Sequence, residues 1–213
     1  MNKFVLILGI LIILFTFACR NPVKVTFSSP QPNETKDLNR FPFRLIGEYY
    51  SQDGSYSLII GKKMIEKKYE FLYKIHPNQL DSNEIFQGDY IINLNTNEKI
   101  PFKKVEDSLE VYEVFIDTIF NLNQEDILRK YKGYYFLNMK YNDFGWEVQK
   151  LYLKKGKLYV SQVLNESEIT QLKELSESFE DTIPTYKFNI DKKQFKKFVK
   201  SEGFSSTDTL IKL

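Results

Sequence analysis

The side chains most often used for metal binding and nucleophilic catalysis are scarce in this chain. It contains one cysteine, Cys19, and one histidine, His76. A zinc site would need carboxylates for most of its ligands, and a Ser-His-Asp triad would have a single candidate base. Because His76 precedes Pro77 at the end of a predicted strand, a histidine in a turn is the simpler interpretation. We predict no catalytic residue, no metal and no cofactor, and therefore not an enzyme.

Cys19 has no second cysteine with which to form a disulfide, and it follows an apolar segment. Lys3 precedes residues 4–18, which contain no charged side chain. As a helix, these 15 residues would span about 22 Å, less than the roughly 30 Å of a bilayer's hydrocarbon core. The segment is therefore typical of a removable export signal.

The residues Leu14-Phe15-Thr16-Phe17-Ala18-Cys19 resemble the end of a bacterial lipoprotein signal. The resemblance implies that the thiol of Cys19 receives a diacylglycerol, that residues 1–18 are removed, and that the new amine is acylated. Two or three acyl chains would anchor the protein firmly, whereas one chain holds only marginally. The alternative is ordinary cleavage after Ala18, which leaves a soluble protein with a free thiol.

Composition predicts an α+β, β-rich fold. Aromatic residues make up 15% of the chain, and many aromatic residues with few alanines favour sheet. The 30 basic and 28 acidic residues nearly balance, which argues against a nucleic-acid partner. We predict a signal peptide over 1–18, a lipidated cysteine with a flexible linker over 19–42, an antiparallel β domain or half over 43–122, and an α+β domain or half over 123–213.

Local patterns predict the elements within these segments. Asp53-Gly54 between two apolar stretches predicts a hairpin, and the apolar alternation over 69–75 predicts a strand. We expect residues 43–120 to form an antiparallel meander or partly rolled sheet with its apolar face turned inward. A smaller antiparallel sheet with two or three short helices should follow. One of these helices is predicted over 123–131, where acids come early and bases late.

The other two helices are predicted after Asn165 and Asp191, and they carry opposite charge. Residues 165–182 contain six acids and one lysine, whereas residues 187–200 contain six lysines and one acid. On the second helix a narrow apolar stripe opposes the lysines. The helix could lean on an anionic membrane beside its own anchor. Alternatively, its lysines are solvated or face the acidic helix.

Aromatic residues on predicted strands could form a platform for a ligand, because tyrosine and tryptophan present flat apolar faces with a polar edge. The candidates are Tyr49, Tyr50, Tyr134, Tyr135 and Trp146. Side chains alternate along a strand, so at least one tyrosine of each adjacent pair should lie outside the core or in a cavity. Packing in the core or at its rim is the alternative explanation.

Four triplets read Asp, hydroxyl residue, aliphatic residue. The pattern resembles the acceptor for periplasmic O-glycosylation in some Gram-negative bacteria. The resemblance implies four acceptor residues, Ser108, Thr118, Thr182 and Thr209. The structural alternative is that the first two residues end a turn and the aliphatic residue begins a strand.

These observations predict a membrane-anchored envelope lipoprotein whose β-rich body is a binding or envelope-assembly module. Its partners would be the membrane, through the lipid, and a protein or glycan of the envelope. Arg20 stands where an aspartate would retain some lipoproteins at the inner membrane, so we predict the outer membrane, facing the periplasm. Two alternatives remain: an immunity or inhibitor protein that binds an envelope toxin or hydrolase, and an enzyme with a carboxylate-based site.

The C-terminal part also resembles an uncharacterised class of exported bacterial lipoproteins. The resemblance lies in residues 132–138, 146–148 and 193–198. It implies no known activity and transfers no site residue.

Overall fold

The computed structural model describes residues 24–182 and 185–212, and these residues confirm the α+β, β-rich fold. Two α-helices are present among them, α1 (Glu166–Leu175) and α2 (Lys192–Lys200). The strands are β1 (Lys24–Phe27), β2 (Asp37–Leu38), β3 (Gly47–Ser51), β4 (Ser57–Ile60), β5 (Met64–Ile75), β6 (Glu84–Gln87), β7 (Tyr90–Asn93), β8 (Lys99–Val105), β9 (Ser108–Asn121), β10 (Ile127–Tyr131), β11 (Tyr134–Lys140), β12 (Trp146–Lys154), β13 (Lys157–Gln162), β14 (Ser178–Thr182), β15 (Thr185–Asn189) and β16 (Ser206–Lys212). Short 3-10 turns cover Phe43–Leu45, Pro77–Gln79 and Asn142–Phe144.

The described chain divides into two compact units. Unit 1 comprises residues 24–38, Glu125–Tyr152 and Val160–Thr207. Unit 2 comprises Asn39–Gln124, Leu153–Tyr159 and residues 208–212. The predicted boundary after residue 122 lies close to the observed change of unit after Gln124. The two ends of the chain differ from the prediction, because β1 pairs with strands of the C-terminal half and β16 pairs with β3.

Unit 1 has the strand order β14-β15-β1-β12-β11-β10-β2. All its neighbouring strands are antiparallel except β1 and β15, which run parallel. Both helices begin where predicted, and each begins at a capping box with Asn165 or Asp191 as the N-cap. The buried core of this unit comprises Val25, Phe27, Phe136, Val148, Val163, Ile169, Leu172, Phe188, Ile190, Phe195, Phe198 and Phe204.

The prediction of a flexible linker over 19–42 is wrong from residue 24 onward; residues 19–23 lie outside the described part. Val25 and Phe27 of β1 are only 6% and 1% exposed. The residues that follow are also held in place. The side-chain amide of Asn138 donates to the carbonyl of Gln31 at 2.9 Å. The guanidinium of Arg129 donates to the carbonyl of Pro32 at 3.0 Å and to the carboxylate of Asp37 at 2.7 Å. Long-range partners therefore order a segment whose prolines suggested a tether.

The helix predicted over 123–131 is also wrong, because residues 127–131 form strand β10. This strand pairs with β11 from Ile127 opposite Asn138 to Tyr131 opposite Tyr134. Leu128 is fully buried. Lys132 and Gly133 have φ angles of +48° and +87°, as a tight hairpin turn requires. Strand pairing and burial outweigh the helix-like order of charges here.

Unit 2 has the strand order β16-β3-β4-β5-β9-β8-β7-β6. The hairpin predicted at Asp53-Gly54 joins β3 to β4 and is confirmed. The meander differs from the predicted one, because β5 pairs with β9 and strands β6 to β8 are added beyond β9. One core lies near the β3–β4 end and includes Phe41, Leu45, Tyr49, Leu58, Ile60, Ile65 and Phe120. A smaller core comprises Ile91, Leu109 and Val111.

Truncation of Phe27 tests whether β1 belongs to the folded body. We expect Phe27→Ala to reduce the free energy of unfolding by about 3–4 kcal/mol, because it removes a buried ring and leaves a cavity. Chemical denaturation followed by the fluorescence of Trp146 would measure this loss. Lys36→Ala, an exposed change within the same predicted linker, should have an effect of less than about 0.5 kcal/mol. Equal effects of the two variants would contradict the placement of β1.

Candidate functional site

The middle of β5 and β9 is a two-stranded ribbon with no described strand on either outer edge. β4 pairs with β5 only as far as Lys68, and β8 pairs with β9 only from Ser108 to Val111. Residues 69–72 and 112–115 therefore pair with each other alone. A bare ribbon is marginally stable in water and normally needs a third strand or a packing layer. We call this segment the ribbon.

Large apolar side chains are concentrated on and beside the ribbon. Of the 16 large hydrophobic residues exposed in the described chain, 11 lie between residues 71 and 116. Seven of them belong to the two long strands, with exposures between 38% and 68%, and we call them the ribbon surface: Phe71, Leu72, Tyr73, Tyr112, Val114, Phe115 and Ile116. A concentration of exposed apolar side chains of this kind is typical of an interaction site.

One face of the ribbon carries a row of aromatic rings. Tyr69 is opposite Phe115 in the register, and the rings of Phe71 and Phe115 meet edge to face with centroids 5.8 Å apart. The planes of Tyr69 and Phe71 differ by only 9°. Tyr56 extends the row at 6.2 Å from Tyr69. The ammonium of Lys67 lies 3.9 Å from the Tyr56 centroid, within the range of a cation–π interaction.

The opposite face of the ribbon is mainly aliphatic. Leu72 is directly opposite Tyr112, and alternation along β9 places Val114 and Ile116 on the same side. Leu72 and Ile116 are the two most exposed members of the ribbon surface, at 68% and 57%. The ribbon therefore presents apolar side chains on both faces, and neither face is covered by another described strand.

An ionic network lies on the aliphatic face itself, where Glu70 is directly opposite Val114 and Lys68 is directly opposite Ile116. The hydroxyl of Tyr112 donates to Glu70, and the ammonium of Lys68 lies 2.9 Å from the same carboxylate. The hydrogen bond from Tyr112, and then that from Lys68, lowers the pKa of Glu70. The hydrogen bond to Glu70 in turn raises the pKa of both Lys68 and Tyr112. The network thus links the hydroxyl of Tyr112 to Glu70 and Lys68 on this face.

The tyrosine pairs predicted as a platform are divided by strand alternation, as expected. Tyr49 and Tyr135 are only 0% and 2% exposed, so the platform prediction is wrong for these two. The Tyr49 hydroxyl donates to the carbonyl of Leu45 at 3.0 Å, and burial raises its pKa. Tyr50 is half-buried. Its register through Ser57 and Lys68 places it on the same sheet face as Ile116.

The other two platform candidates lie in unit 1 and are not close to each other. Tyr134 is half-buried, and its ring meets that of Tyr152 edge to face at 5.3 Å. Trp146 pairs with Lys140 at the other end of β11, six residues from Tyr134, or about 20 Å along the strand. Unit 1 therefore does not bring Tyr134 and Trp146 together. The aromatic row forms instead from Tyr56, Tyr69, Phe71 and Phe115.

The four predicted glycosylation sites occupy different positions in their strands. Ser108 begins β9, Thr118 lies within β9 and Thr209 lies within β16. Thr182 ends β14, and its side chain lies outside the described part. The alternative explanation, in which each triplet starts a strand, therefore holds only for residues 107–109. Thr118 is exposed and Ser108 and Thr209 are half-buried, so their modification stays a prediction.

The described part of the chain offers few other groups that could carry out chemistry. His76 caps the 3-10 turn Pro77–Gln79, which confirms it as a turn residue. A cleft of about 470 Å³ in unit 1 is lined by Val25, Phe27 and other residues, and its one carboxylate, Glu147, is paired with Lys24 at 3.0 Å. Among the described residues, no three His, Cys, Asp or Glu side chains converge as metal ligands. No described helix is long and apolar enough to cross a membrane.

Comparison with known proteins supplies no relative. No protein-family model, no curated protein and no solved structure matches this chain.

The ionic network makes a pH-dependent prediction. In Tyr112→Phe the pKa of Glu70 should rise towards its ordinary 4.5, because its principal hydrogen bond is lost. A carboxylate whose pKa is lower in the folded than in the unfolded state stabilises the protein above its unfolded pKa. This stabilisation is lost as the pH falls through the folded-state pKa. The variant should therefore lose less stability on acidification. Carbon-13 NMR titration of the Glu70 carboxylate would measure the pKa. Tyr90→Phe, also on an exposed tyrosine, is the matched control, and an equal shift in both variants would contradict the network.

Proposed function

We propose that this protein is a membrane-anchored envelope lipoprotein whose β-rich body is a binding or assembly module, and that it takes a protein partner on the ribbon surface. The observation that carries the proposal is the ribbon itself: two paired strands with apolar side chains exposed on both faces. A partner that covers this surface would gain about 25 cal/mol of free energy for each Å² of apolar surface removed from water. A partner would thereby supply the packing layer that the ribbon lacks.

The composition of the ribbon surface favours a protein as its partner. Protein interfaces combine an aromatic and aliphatic centre with a charged rim. Here Leu72, Val114 and Ile116 share one face with two charged residues, because Glu70 is directly opposite Val114 and Lys68 is directly opposite Ile116. The outer edges also have unpaired backbone groups, which a partner strand could join by β-augmentation. Such strand addition would supply hydrogen bonds, and the exposed side chains would supply selectivity.

The aromatic row on the other face supports a second candidate, binding of a glycan. Sugar rings stack on flat aromatic surfaces, and Tyr69 and Phe71 have nearly parallel planes. A glycan would engage the aromatic row and leave the aliphatic face free. The two candidates therefore differ in which face of the ribbon is covered. An immunity or inhibitor protein would use the same surface as the first candidate but form a tight stoichiometric complex with a toxin or hydrolase.

The anchor is the other half of the proposal. It is supported by the position of Cys19, the one cysteine of the sequence, directly after the apolar segment. The resemblance of that segment to a lipoprotein signal supports it as well. An acylated Cys19 would hold the body at the envelope membrane, which we propose is the outer membrane on its periplasmic side. The ribbon would then meet its partner in the same compartment.

Site-specific photo-crosslinking in intact cells tests both halves. With a photoreactive residue at position 114, between Leu72 and Ile116 on the aliphatic face, we expect a discrete protein adduct. Leu72→Asp combined with Ile116→Asp should reduce its yield at least about tenfold, because two buried charges cost several kcal/mol at an interface. A photoreactive residue at the exposed position 62, away from the ribbon, is the control and should give no adduct.

Three outcomes decide between the candidates. A discrete adduct at 114 that depends on Leu72 and Ile116 supports the protein partner. No adduct at 114, or equal yields at 62 and 114, contradicts it. Glycan binding that is lost in Phe71→Ala and Phe115→Ala but kept in the double Asp variant would favour the glycan.

In the same cells, Cys19→Ser should lose labelling by radioactive palmitate and leave the membrane fraction. Retention of both the label and the membrane association would refute the anchor.

A further inference from the structure

The apolar stripe of helix α2 belongs to the core of unit 1. Phe195 and Phe198 are fully buried. The ring of Phe195 contacts that of Phe27 in β1 at 6.0 Å and that of Phe136 in β11 at 5.1 Å. The helix therefore has no free apolar side to insert into a bilayer. What it presents to the outside is its lysines.

Four lysines form the outer side of α2, and we call them the lysine face: Lys193, Lys196, Lys197 and Lys200. None of them makes an ion pair with a described carboxylate. The acidic helix α1 is joined to this region by a hydrogen bond from Gln171 to Ser201 rather than by ion pairs to these lysines. The acidic helix therefore contributes no described ion pair to these lysines, and Lys193, Lys197 and Lys200 are exposed to solvent.

The lysine face borders an open cleft of about 570 Å³. Tyr131 and Leu175 supply its apolar lining, and the ammonium of Lys196 lies 5.1 Å from the Tyr131 ring centroid. Asp191 is the one carboxylate that lines the cleft, and it is already engaged as the helix N-cap, accepting from the amide of Gln194 at 2.7 Å. The cleft thus offers an anion four lysine ammoniums against the single negative charge of Asp191.

The position of β1 limits how far this face can be from a membrane. This limit rests on the proposed anchor at Cys19. Only four residues separate Cys19 from Lys24, the first residue of β1. A fully extended chain over these five steps reaches about 18 Å. Phe27, which contacts Phe195 of α2, lies three residues, or about 10 Å, along β1 from Lys24. The lysine face is about one helix diameter, or ~10 Å, beyond that contact.

We propose that the lysine face rests on anionic phospholipid headgroups of the membrane that holds Cys19. The short reach from Cys19 keeps the face close to the headgroups, so even a weak contact is populated at a high effective concentration. Each lysine near an anionic leaflet strengthens docking by about fivefold. Because no apolar side chain of α2 is available for insertion, the contact is electrostatic and depends on salt.

The test uses the full lipidated protein in vesicles. In Lys197→Cys the new thiol is the only one, because the sulfur of an acylated Cys19 is a thioether, and it can carry a fluorophore. Its quenching by a headgroup-labelled lipid is measured in phosphatidylcholine vesicles with and without about 30% phosphatidylglycerol. We expect at least about threefold more quenching with the anionic lipid. About 0.5 M salt, where the Debye length is ~4 Å, should abolish the difference.

Two triple variants with the same label complete the test. Lys193→Gln, Lys196→Gln and Lys200→Gln together should weaken docking by about 100-fold and abolish the difference between vesicles. Lys74→Gln, Lys99→Gln and Lys103→Gln remove the same charge from exposed positions of unit 2 and should leave it unchanged. Equal quenching in both vesicles, or equal loss in both variants, would overturn the proposal. A protein that does not enter vesicles at all would instead refute the anchor, and this contact with it.

Discussion

The pairing of β1 with two strands at once is the constraint on which unit 1 depends. β1 lies between β12 and β15, and its Phe27 enters the core against helix α2. The neighbouring loop closes tightly over it: a Cβ at Gly145 would lie 2.4 Å from the carbonyl oxygen of Phe27, and Gly145 has a φ of +105°. Only glycine fits such an approach. The strand nearest the predicted anchor is thereby locked into the fold.

The two candidate surfaces differ in physical character. In unit 1 the aromatic side chains of β1, β11 and α2 pack on one another, and the outside carries charge. In unit 2 the aromatic side chains of the ribbon surface lie outside, with cross-strand ring contacts and the Lys68–Glu70–Tyr112 network as their support. Cross-strand pairs of this kind contribute about 0.2–1 kcal/mol each. They can keep the ribbon ordered while its faces stay free for a partner.

Elements set by local signals could be predicted from the sequence, and elements set by distant partners could not. The Asp53-Gly54 hairpin and the caps at Asn165 and Asp191 need only a few adjacent residues. β1 has just four residues, and its parallel partner β15 begins at Thr185. No local sequence signal near β1 therefore predicts a strand. Residues 127–131 carry a helix-like charge order, yet Leu128 is buried by pairing with β11.

The candidate site shows the same division. Alternation predicted that one tyrosine of each adjacent pair faces away from the core, and Tyr49 and Tyr50 behave in this way. The apolar alternation over 69–75 predicted the strand β5 but also an inward apolar face, whereas Phe71 and Tyr73 are exposed. Whether a second layer covers a strand depends on the rest of the topology. Here β4 and β8 end before they reach the ribbon. The sequence of β5 alone could not predict where these neighbouring strands end.

Hydrogen exchange at β1 is the most direct test of the account, because both the fold of unit 1 and the short distance to Cys19 follow from this strand. In the full lipidated protein, the backbone amides of residues 25–27 should exchange as slowly as those of the buried strand β11, through opening of the whole unit. Mass spectrometry of the N-terminal peptide would measure both sets. Exchange of residues 25–27 at the rate of an unstructured peptide, with β11 protected, would contradict the account and restore a flexible linker.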